Sequence, residues 1–597
     1  MNWEVLTMKS RTSFCNITAI KKDITRFAPV WGLYTIFLIV VLCTKARFGA
    51  PAILARDSVE MINFMGVVNI FYGGICAVTL FGDLFVGRLC NALHAFPLRR
   101  QEWLISHAIS GILFSLIPNV LVAVFASCLM VEYAYMAWIW LAAVTLQFLF
   151  FFGTGVFSAV CAGNRLGMIA IYGIIHFITV LVYGVVVLIY QPLLYGVFLD
   201  FEKWRSFFPV LHMVDNAHMY VNYSYFPTSI EFQFQGLNGI GWAYIGICSG
   251  VGLLSLVGAS LVYHRRNLET SGDFISLKPI APVFLIIYSV GVGTVFYMFS
   301  EVFGNASYVY LTLGFAVGIF TGLMLLGRTV NVFTKRSLLC FCALAAVLAS
   351  SMWITWLDPL GITTKIPGQA KIQWGAAYST DQVYGYTQKE DYPYRFCVTD
   401  ADELKSLQQF HERLAADKKA GTINGSCQVR IHYKLVDGSD FVRYYQVEPQ
   451  SVLGQEVRMR LSDMRYLFQV NETEILDEMF PFVSVECYDM DLGDNWKLEA
   501  ELGGIETISL TEQAQIKELL TAIRKDAESG HMVQYPQFHE NEKYVFYISF
   551  EGRSAKEMEY KDWEKNISSQ DVYYCGLSVY ESCTHTIDYL KTLCLSN

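Results

Sequence analysis

The stretch LISHAISGILFSLIPNVLVAVFASCLMVEYAYMAWIWLAAVTLQFLFFFGTGVFSAVCA, residues 104–162, decides the fold. It holds no Lys, Arg or Asp, and its one carboxylate, Glu132, sits in the break VEYAY at 131–135. A bilayer core ~30 Å thick is crossed by about 20 mostly apolar residues in a helix. The stretch contains two such runs, 104–130 and 136–162, so it predicts a pair of transmembrane helices joined by a short turn.

Working outward, seven further runs of the same kind lie at 28–45, 62–82, 166–191, 238–263, 280–300, 307–327 and 337–357. Nine spans are therefore expected. Composition agrees: hydrophobic residues make up 54% of the chain and charged ones 16%, against roughly a quarter charged in ordinary globular proteins. The net charge of −9 is carried without any basic stripe that would track phosphates, so nucleic acid is not an expected partner. Polar residues, including Lys21, Lys22 and Arg26, delay the first apolar run to about residue 28, unlike a signal peptide.

Lys and Arg crowd the short segments that an inside N-terminus would place in the cytoplasm, among them Lys9, Arg11, Lys21, Lys22, Arg88, Arg99, Arg100, Arg165, Arg265, Arg266 and Arg328. The short segments on the other side carry only Lys45, Arg47, Arg56, Lys203 and Arg205. By the positive-inside rule the N-terminus is expected in the cytoplasm, and nine spans then leave residues 358–597 outside.

The spans are nearly free of ionisable side chains at mid-depth, where an ion-coupled transporter binds its ion. His176 is the exception, and its simplest reading is a hydrogen-bonded interior residue. No G-x-x-x-x-G-K-[ST] phosphate loop occurs in the chain. An ATP-driven pump would thus take its energy from a separate subunit. Two cytoplasmic segments suit such docking. Residues 8–27 can form an amphipathic helix, with Phe14, Ile17, Ile20 and Ile24 on one face. The loop 83–103 places Phe85, Leu89 and Leu93 near helical spacing before Pro97, followed by Arg99 and Arg100. An interfacial loop meeting anionic lipid is the equal alternative for it.

Three stretches resemble ABC-type exporter permeases of Gram-positive, clostridia-like bacteria. SRTSFCNITAIKKDITRFAPVWGLY (10–34) is similar to their basic interfacial helix running into an aromatic first span. RLCNALHAFPLRRQEWLISHAISG (88–111) resembles the loop that typically reads H-S-L-P-[IVL]-[KR]-R, matching at His94, Pro97, Leu98, Arg99 and Arg100 and departing at Ala95 and Phe96. YHRRNLETSGDFISLKP (263–279) resembles R-R-x-x-E-x-A-G through Arg265, Arg266, Glu269 and Gly272, with Ser271 in place of Ala.

The resemblance covers about the first 280 residues and implies a type-2 ABC transporter-like core. The expected fold is a polytopic α-helical membrane protein with an extracytoplasmic C-terminal α+β domain. Its parts would be an interfacial helix (1–27), a six-span core (28–264), three additional helices (265–357) and the outer domain (358–597). The resemblance also implies a cytoplasmic ABC ATPase partner, a second permease chain alongside, and the cell membrane as location. An ATPase-coupling loop would carry Arg88, His94, Pro97, Arg99 and Arg100. No catalytic, cofactor or metal residues are assigned. The competing class is a membrane sensor with an outer ligand-binding domain and no transport. Between spans, 191–237 suits short helices that dip back towards the membrane or a plain outer loop.

In the outer domain, Thr399-x-x-Asp402 reads as a capping box opening a helix. VRIHYKLV, Asp437-Gly438 and FVRYYQV read as a hairpin. TEQAQIKELLTAI (511–523) aligns with TDADELKSLQQFH (399–411), and a second hairpin turn is expected at Glu551-Gly552, giving two tandem helix-plus-hairpin units. The acidic run CYDMDLGDNW (487–496) lacks a full calcium-loop pattern. Cys397, Cys427, Cys487, Cys575, Cys583 and Cys594 would permit up to three disulfides.

Overall fold

The computed structural model describes residues 15–47, 50–95, 99–199, 201–214, 219–226, 231–303, 307–378, 397–417, 427–468, 482–486, 507–534, 538–539, 542–553 and 572–596. Among these, eight helical stretches are long and apolar enough to cross a membrane. One of them, Arg100–Cys161, has 62 residues. At 1.5 Å per residue it would run about 93 Å, three times a bilayer core. It is two helices, α5 (Arg100–Met130) and α6 (Ala134–Cys161), separated at Val131–Tyr133 and packed on each other. Divided there, the described residues hold nine helices of crossing length, and the protein is a polytopic helical membrane protein.

The chain forms two compact units, residues 1–189 with 200–350, and residues 190–199 with 351–597. In the first, α1 (Ile17–Arg26), α2 (Ala28–Ala46) and α3 (Pro51–Leu80) precede α4 (Gly87–Ala95), α5 and α6. Then follow α7 (Arg165–Val185), two short helices α8 (Phe201–Trp204) and α9 (Pro209–Val214), and a hairpin of β1 (Val221–Phe226) and β2 (Glu231–Leu237). The short helices agree with the reading of 191–237; the hairpin was not foreseen. The unit closes with α10 (Gly239–Arg265), α11 (Ile280–Val302), α12 (Tyr308–Gly327) and α13 (Lys335–Leu357).

Helix α6 is the hub, packing on α3, α5, α7 and α10. Glycines let the backbones meet. A Cβ at Gly153 would lie 2.1 Å from the Gly252 carbonyl oxygen, and one at Gly73 would lie 2.9 Å from the Phe152 nitrogen. In α12, a Cβ at Gly318 would lie 2.7 Å from Ser289 Cα of α11. Small residues at such crossings are the usual means of association in lipid, where burial of apolar surface supplies little drive.

Two first-unit elements depart from expectation. Helix α3 starts at Pro51, about three turns before the apolar run at 62. Those turns carry Arg56, Asp57 and Glu60 among apolar residues, and Asp57 is ion-paired to Lys45 of α2 at 3.0 Å and to Arg56 at 2.8 Å. In α1, the buried residue is Asp23, although pattern alone pointed to an isoleucine face. His107 Nδ1 lies 2.5 Å from Asp23 Oδ2 and Ser110 Oγ donates to the same oxygen at 2.8 Å, so α5 holds α1 through its carboxylate.

In the second unit, β3 (Ile372–Tyr378), α14 (Ala401–Ala416), β4 (Cys427–Leu435), β5 (Asp440–Val447), α15 (Val452–Leu461) and α16 (Met464–Phe468) come first. Then come β6 (Phe482–Glu486), β7 (Thr507–Leu510), α17 (Gln513–Glu528), β8 (Tyr544–Arg553), β9 (Val572–Tyr580) and α18 (Thr584–Ser596). The strands make two antiparallel sheets, ordered β3-β4-β5 and β7-β6-β8-β9. Helices α14 and α17 have 16 residues each, and each precedes the two neighbouring antiparallel strands of its sheet.

The β4–β5 turn falls at Asp437-Gly438, where Gly438 takes φ +83° and Asp437 accepts from the Ser439 amide at 2.9 Å. Three details differ from the sequence reading. The α14 cap is Asp400, which accepts from the Asp402 and Glu403 amides, rather than Thr399. Glu551-Gly552 is not a turn: β8 runs through it, with Gly552 opposite Tyr573, because the sheet extends the strand beyond the local dipeptide preference. Cys575 and Cys583 are free thiols, each bonded to a backbone carbonyl, and burial pushes both up to about 12. Cys487 and the acidic run 487–496 lie outside the described residues.

Residues 190–199 join this unit. The Tyr444 amide donates to the Gly196 carbonyl at 3.0 Å, and Tyr195 and Phe198 lay their rings against Tyr445 and Tyr444 at 5.3 and 4.3 Å. Gly196 has φ +80°, and a Cβ there would lie 2.5 Å from the Tyr445 ring, so this passage needs glycine. Beneath, fully buried His411 of α14 has Nε2 2.8 Å from the Tyr445 hydroxyl. Burial, with Arg443 nearby, pulls its pKa down to about 3.

Two outcomes are expected. Gly153→Val should lower the unfolding temperature of the detergent-solubilised chain, by about 3 kcal/mol or more of overpacking. Gly246→Val, where a Cβ meets nothing within 4 Å, should leave it unchanged. His411 is neutral when folded, whereas the unfolded chain protonates it near 6.5. Between about pH 6.5 and 3 the unfolded state binds the extra proton, so stability falls as pH falls. Thermal melts should show a loss of about 2 kcal/mol from pH 6.5 to 5 that His411→Gln removes.

Candidate functional site

At one end of the first unit, four chain segments converge: the 3-10 turn Gly82–Phe85 with α4, the start of α5, the α6–α7 turn, and residues 263–278 after α10. Two arginines fasten them, each by donating to backbone carbonyls at or just past a helix C-terminus. Arg266 is 3% exposed and donates to the α6 carbonyls of Ala159 and Val160 at 3.2 and 3.0 Å. Its other nitrogen donates to the Leu84 carbonyl at 3.2 Å. Burial draws its pKa below the ordinary guanidinium value, yet arginine stays charged in proteins. Arg100 Nη1 donates to the carbonyls of Tyr263, His264 and Arg266 at 3.3, 3.3 and 3.0 Å, and its guanidinium lies 5.9 Å from the Tyr263 ring centroid.

The 263–278 segment is bound tightly to the α6–α7 turn. The Gly272 amide donates to the Gly163 carbonyl at 2.6 Å and the Ser276 amide to Cys161 at 2.8 Å, with Ala162 opposite Ile275 in a β-bridge. Gly272 takes φ +94°, which favours glycine there, and Ser271 Oγ donates to the Leu84 carbonyl at 3.0 Å. Asn164 caps α7 by accepting from the Gly167 amide at 2.7 Å.

This frame holds α4 at the end of the bundle. Arg88 and Leu89 are exposed on it and Val86 just before it, while Cys90 is buried. Burial raises the Cys90 thiol against the opposing pull of Arg266 and Arg100, which makes it a packing group rather than a nucleophile. Among the described residues the surface offered is thus a short apolar and basic ridge.

No family model, no curated protein and no solved structure matches the chain.

Of the coupling-loop residues read from the sequence, Arg88 and Arg99 are exposed. Arg100 is half-buried and spent on the α10 carbonyls. His94 lies within α4, with its side chain outside the described set, and Pro97 lies outside the described residues altogether. Arg266, quoted only as part of a motif, proves to be the buried fastener. An arginine directly after an apolar run was the available signal.

Buried amides also lie within the spans. Asn69 Nδ2 of α3 donates to the Val144 carbonyl and to Gln147 Oε1, both at 3.2 Å. Gln147 of α6 donates to the Ile62 carbonyl at 3.1 Å and the Tyr220 hydroxyl at 3.0 Å. Asn119 of α5 accepts from the Tyr34 hydroxyl at 3.0 Å. Asn and Gln inside apolar runs are the signal that finds such interhelical bonds. His176 is an interior residue, its Nε2 2.9 Å from Thr154 Oγ1 and its ring among Phe150, Phe151 and Tyr172.

Arg266→Gln should lower the unfolding temperature of the solubilised protein by several degrees, since three carbonyls lose a charged donor worth about 1.5–3 kcal/mol per bond. Exposed Arg265→Gln should leave it within a degree. Differential scanning fluorimetry on the two variants is the measurement.

Proposed function

We propose that this chain is the membrane-spanning permease subunit of an ATP-driven ABC transporter, working as an exporter with a separate cytoplasmic ATPase and a second permease chain. The observation that carries the proposal is α4. It is a short helix with Arg88 and Leu89 exposed, preceded by exposed Val86, and the Leu84 carbonyl just before it is held through Arg266 to the end of α6. A push on α4 is delivered directly to the hub helix, which is what a coupling element requires. Arg88 and Arg99 are the side chains we assign to the ATPase contact, with His94 and Pro97 from the sequence pattern. Arg100 is then a positioning residue. In this reading the N-terminus is cytoplasmic, residues 358–597 are extracytoplasmic, and the chain catalyses no bond chemistry.

The sensor alternative draws on residues 190–199, which are held to β5 through Gly196 and Tyr444.

The discriminating experiment is affinity purification of the tagged chain from its native membrane in mild detergent. An ATP-hydrolysing partner should co-purify, and Arg88→Glu with Arg99→Glu should lower its recovery about tenfold without changing the thermal stability of the permease. Absence of any ATPase, or unchanged recovery with the double variant, would refute the transporter reading.

A further inference from the structure

The apolar stretch that α7 opens runs on to Leu193, and the chain then comes back to α7. Phe201 of α8 and Phe208, just before α9, set their rings 5.7 and 5.2 Å from that of Tyr183 in the last turn of α7. The two phenyl rings stack on each other at 5.4 Å, and the Tyr244 hydroxyl of α10 donates to the Ser206 carbonyl at 2.9 Å. Residues 201–208 are therefore fixed at the level that Tyr183 and Tyr244 hold on their helices.

The basic ends of those helices give that level a depth. Tyr183 stands about 27 Å along α7 from Arg165, and Tyr244 about 32 Å along α10 from Arg265. On α12, Tyr310 stands about 27 Å from Arg328 at the other end. From cation to tyrosine, each helix thus spans about one hydrocarbon thickness, ~30 Å. Tryptophan and tyrosine settle at headgroup level, where one edge is apolar and the other wet.

Exposure separates the two ends in the same way. Among the described residues of the first unit, the exposed tryptophans and tyrosines are Tyr135, Trp138, Trp204, Tyr308 and Tyr310. Tyr135 and Trp138 open α6, Tyr308 and Tyr310 open α12, and Trp204 lies between α7 and α10. With alternating crossings all five fall on one side, opposite Arg165, Arg265 and Arg328. Within the returning segment Phe208 is buried, whereas Phe201, Trp204 and Phe207 are 37%, 42% and 60% exposed. In water, three such rings within seven residues would be an apolar patch; at this depth they meet lipid.

We infer that residues 201–208 are a membrane-surface anchor, with Phe201, Trp204 and Phe207 seated at the headgroup–acyl boundary of the leaflet opposite the arginine ends. This part of 191–237 then lies along the membrane surface, neither in water nor across the core. The anchor involves neither α4 nor an ATPase, so it stands apart from the transporter reading.

The test is photocrosslinking of the full chain in vesicles of phosphatidylcholine and phosphatidylglycerol. p-Benzoylphenylalanine replaces Phe207 or, separately, Trp204, and intact-mass measurement after irradiation counts lipid adducts. The same residue replaces Leu254, exposed at mid-length of α10, and Val436, exposed at the β4–β5 turn of the second unit. Positions 204 and 207 should match position 254 in lipid adduct and exceed position 436 about tenfold. Fragmentation should place the adduct at the glycerol and upper acyl carbons for 204 and 207, and at mid-chain for 254. A yield at 204 and 207 no higher than at 436 would overturn the inference. Crosslinks to protein in place of lipid, or adducts confined to mid-chain, would do the same.

Discussion

The close approach of α6 to its neighbours is the constraint on which the membrane unit depends. Gly153 and Gly252 bring α6 and α10 into backbone contact, and Gly73 does the same for α3 against Phe152. In lipid, helix association rests on dispersion, hydrogen bonds and close fit, because the tails outside are as apolar as the side chains inside. Once α6 is central, the buried amides of Asn69 and Gln147 find partners across the α3–α6 seam. The carbonyls at its far end then become the anchorage for Arg266.

The two arginines give that anchorage a direction. Arg266 ties the end of α6 to Leu84, just before α4, and Arg100 ties the start of α5 to the end of α10. Each donates to carbonyls at or just past a helix C-terminus, and each carries charge of the sign that such an end favours. Leu84 and Arg100 thus bracket α4 and tie its two flanks to the ends of α6 and α10. At the opposite end, the Lys45–Asp57 ion pair ties the last turn of α2 to the early turns of α3. The two ends therefore share helices but use different chemistry, carbonyl capping at one and carboxylate pairing at the other.

The second unit obeys the rules of a water-soluble α+β fold. Alternation places Val429, Ile431 and Tyr433 of β4 in the core, and local turn chemistry sets the first hairpin at Asp437-Gly438. The same dipeptide logic failed at Glu551-Gly552, where cross-strand pairing with β9 outweighed a turn preference worth only a few tenths of a kcal/mol to about 1 kcal/mol.

The sequence by itself determined the membrane class and the nine apolar helices, because a run of about 20 apolar residues has one stable form in a bilayer. It also determined the strand alternation and the amphipathic helices of the soluble unit, which follow from period alone. It could not determine which polar residue meets which. Asp23 sits on a helix whose pattern pointed to an isoleucine face, yet His107 and Ser110, more than eighty positions away, draw it inward. Likewise Arg100, expected in an ATPase-coupling loop, and Arg266, counted among the cytoplasmic cations, meet carbonyls at the ends of α10 and α6. Residues 190–199 looked like an interhelical loop until Tyr444 and Tyr445 bound them. These are contacts between distant segments, and only the tertiary structure brings the partners together.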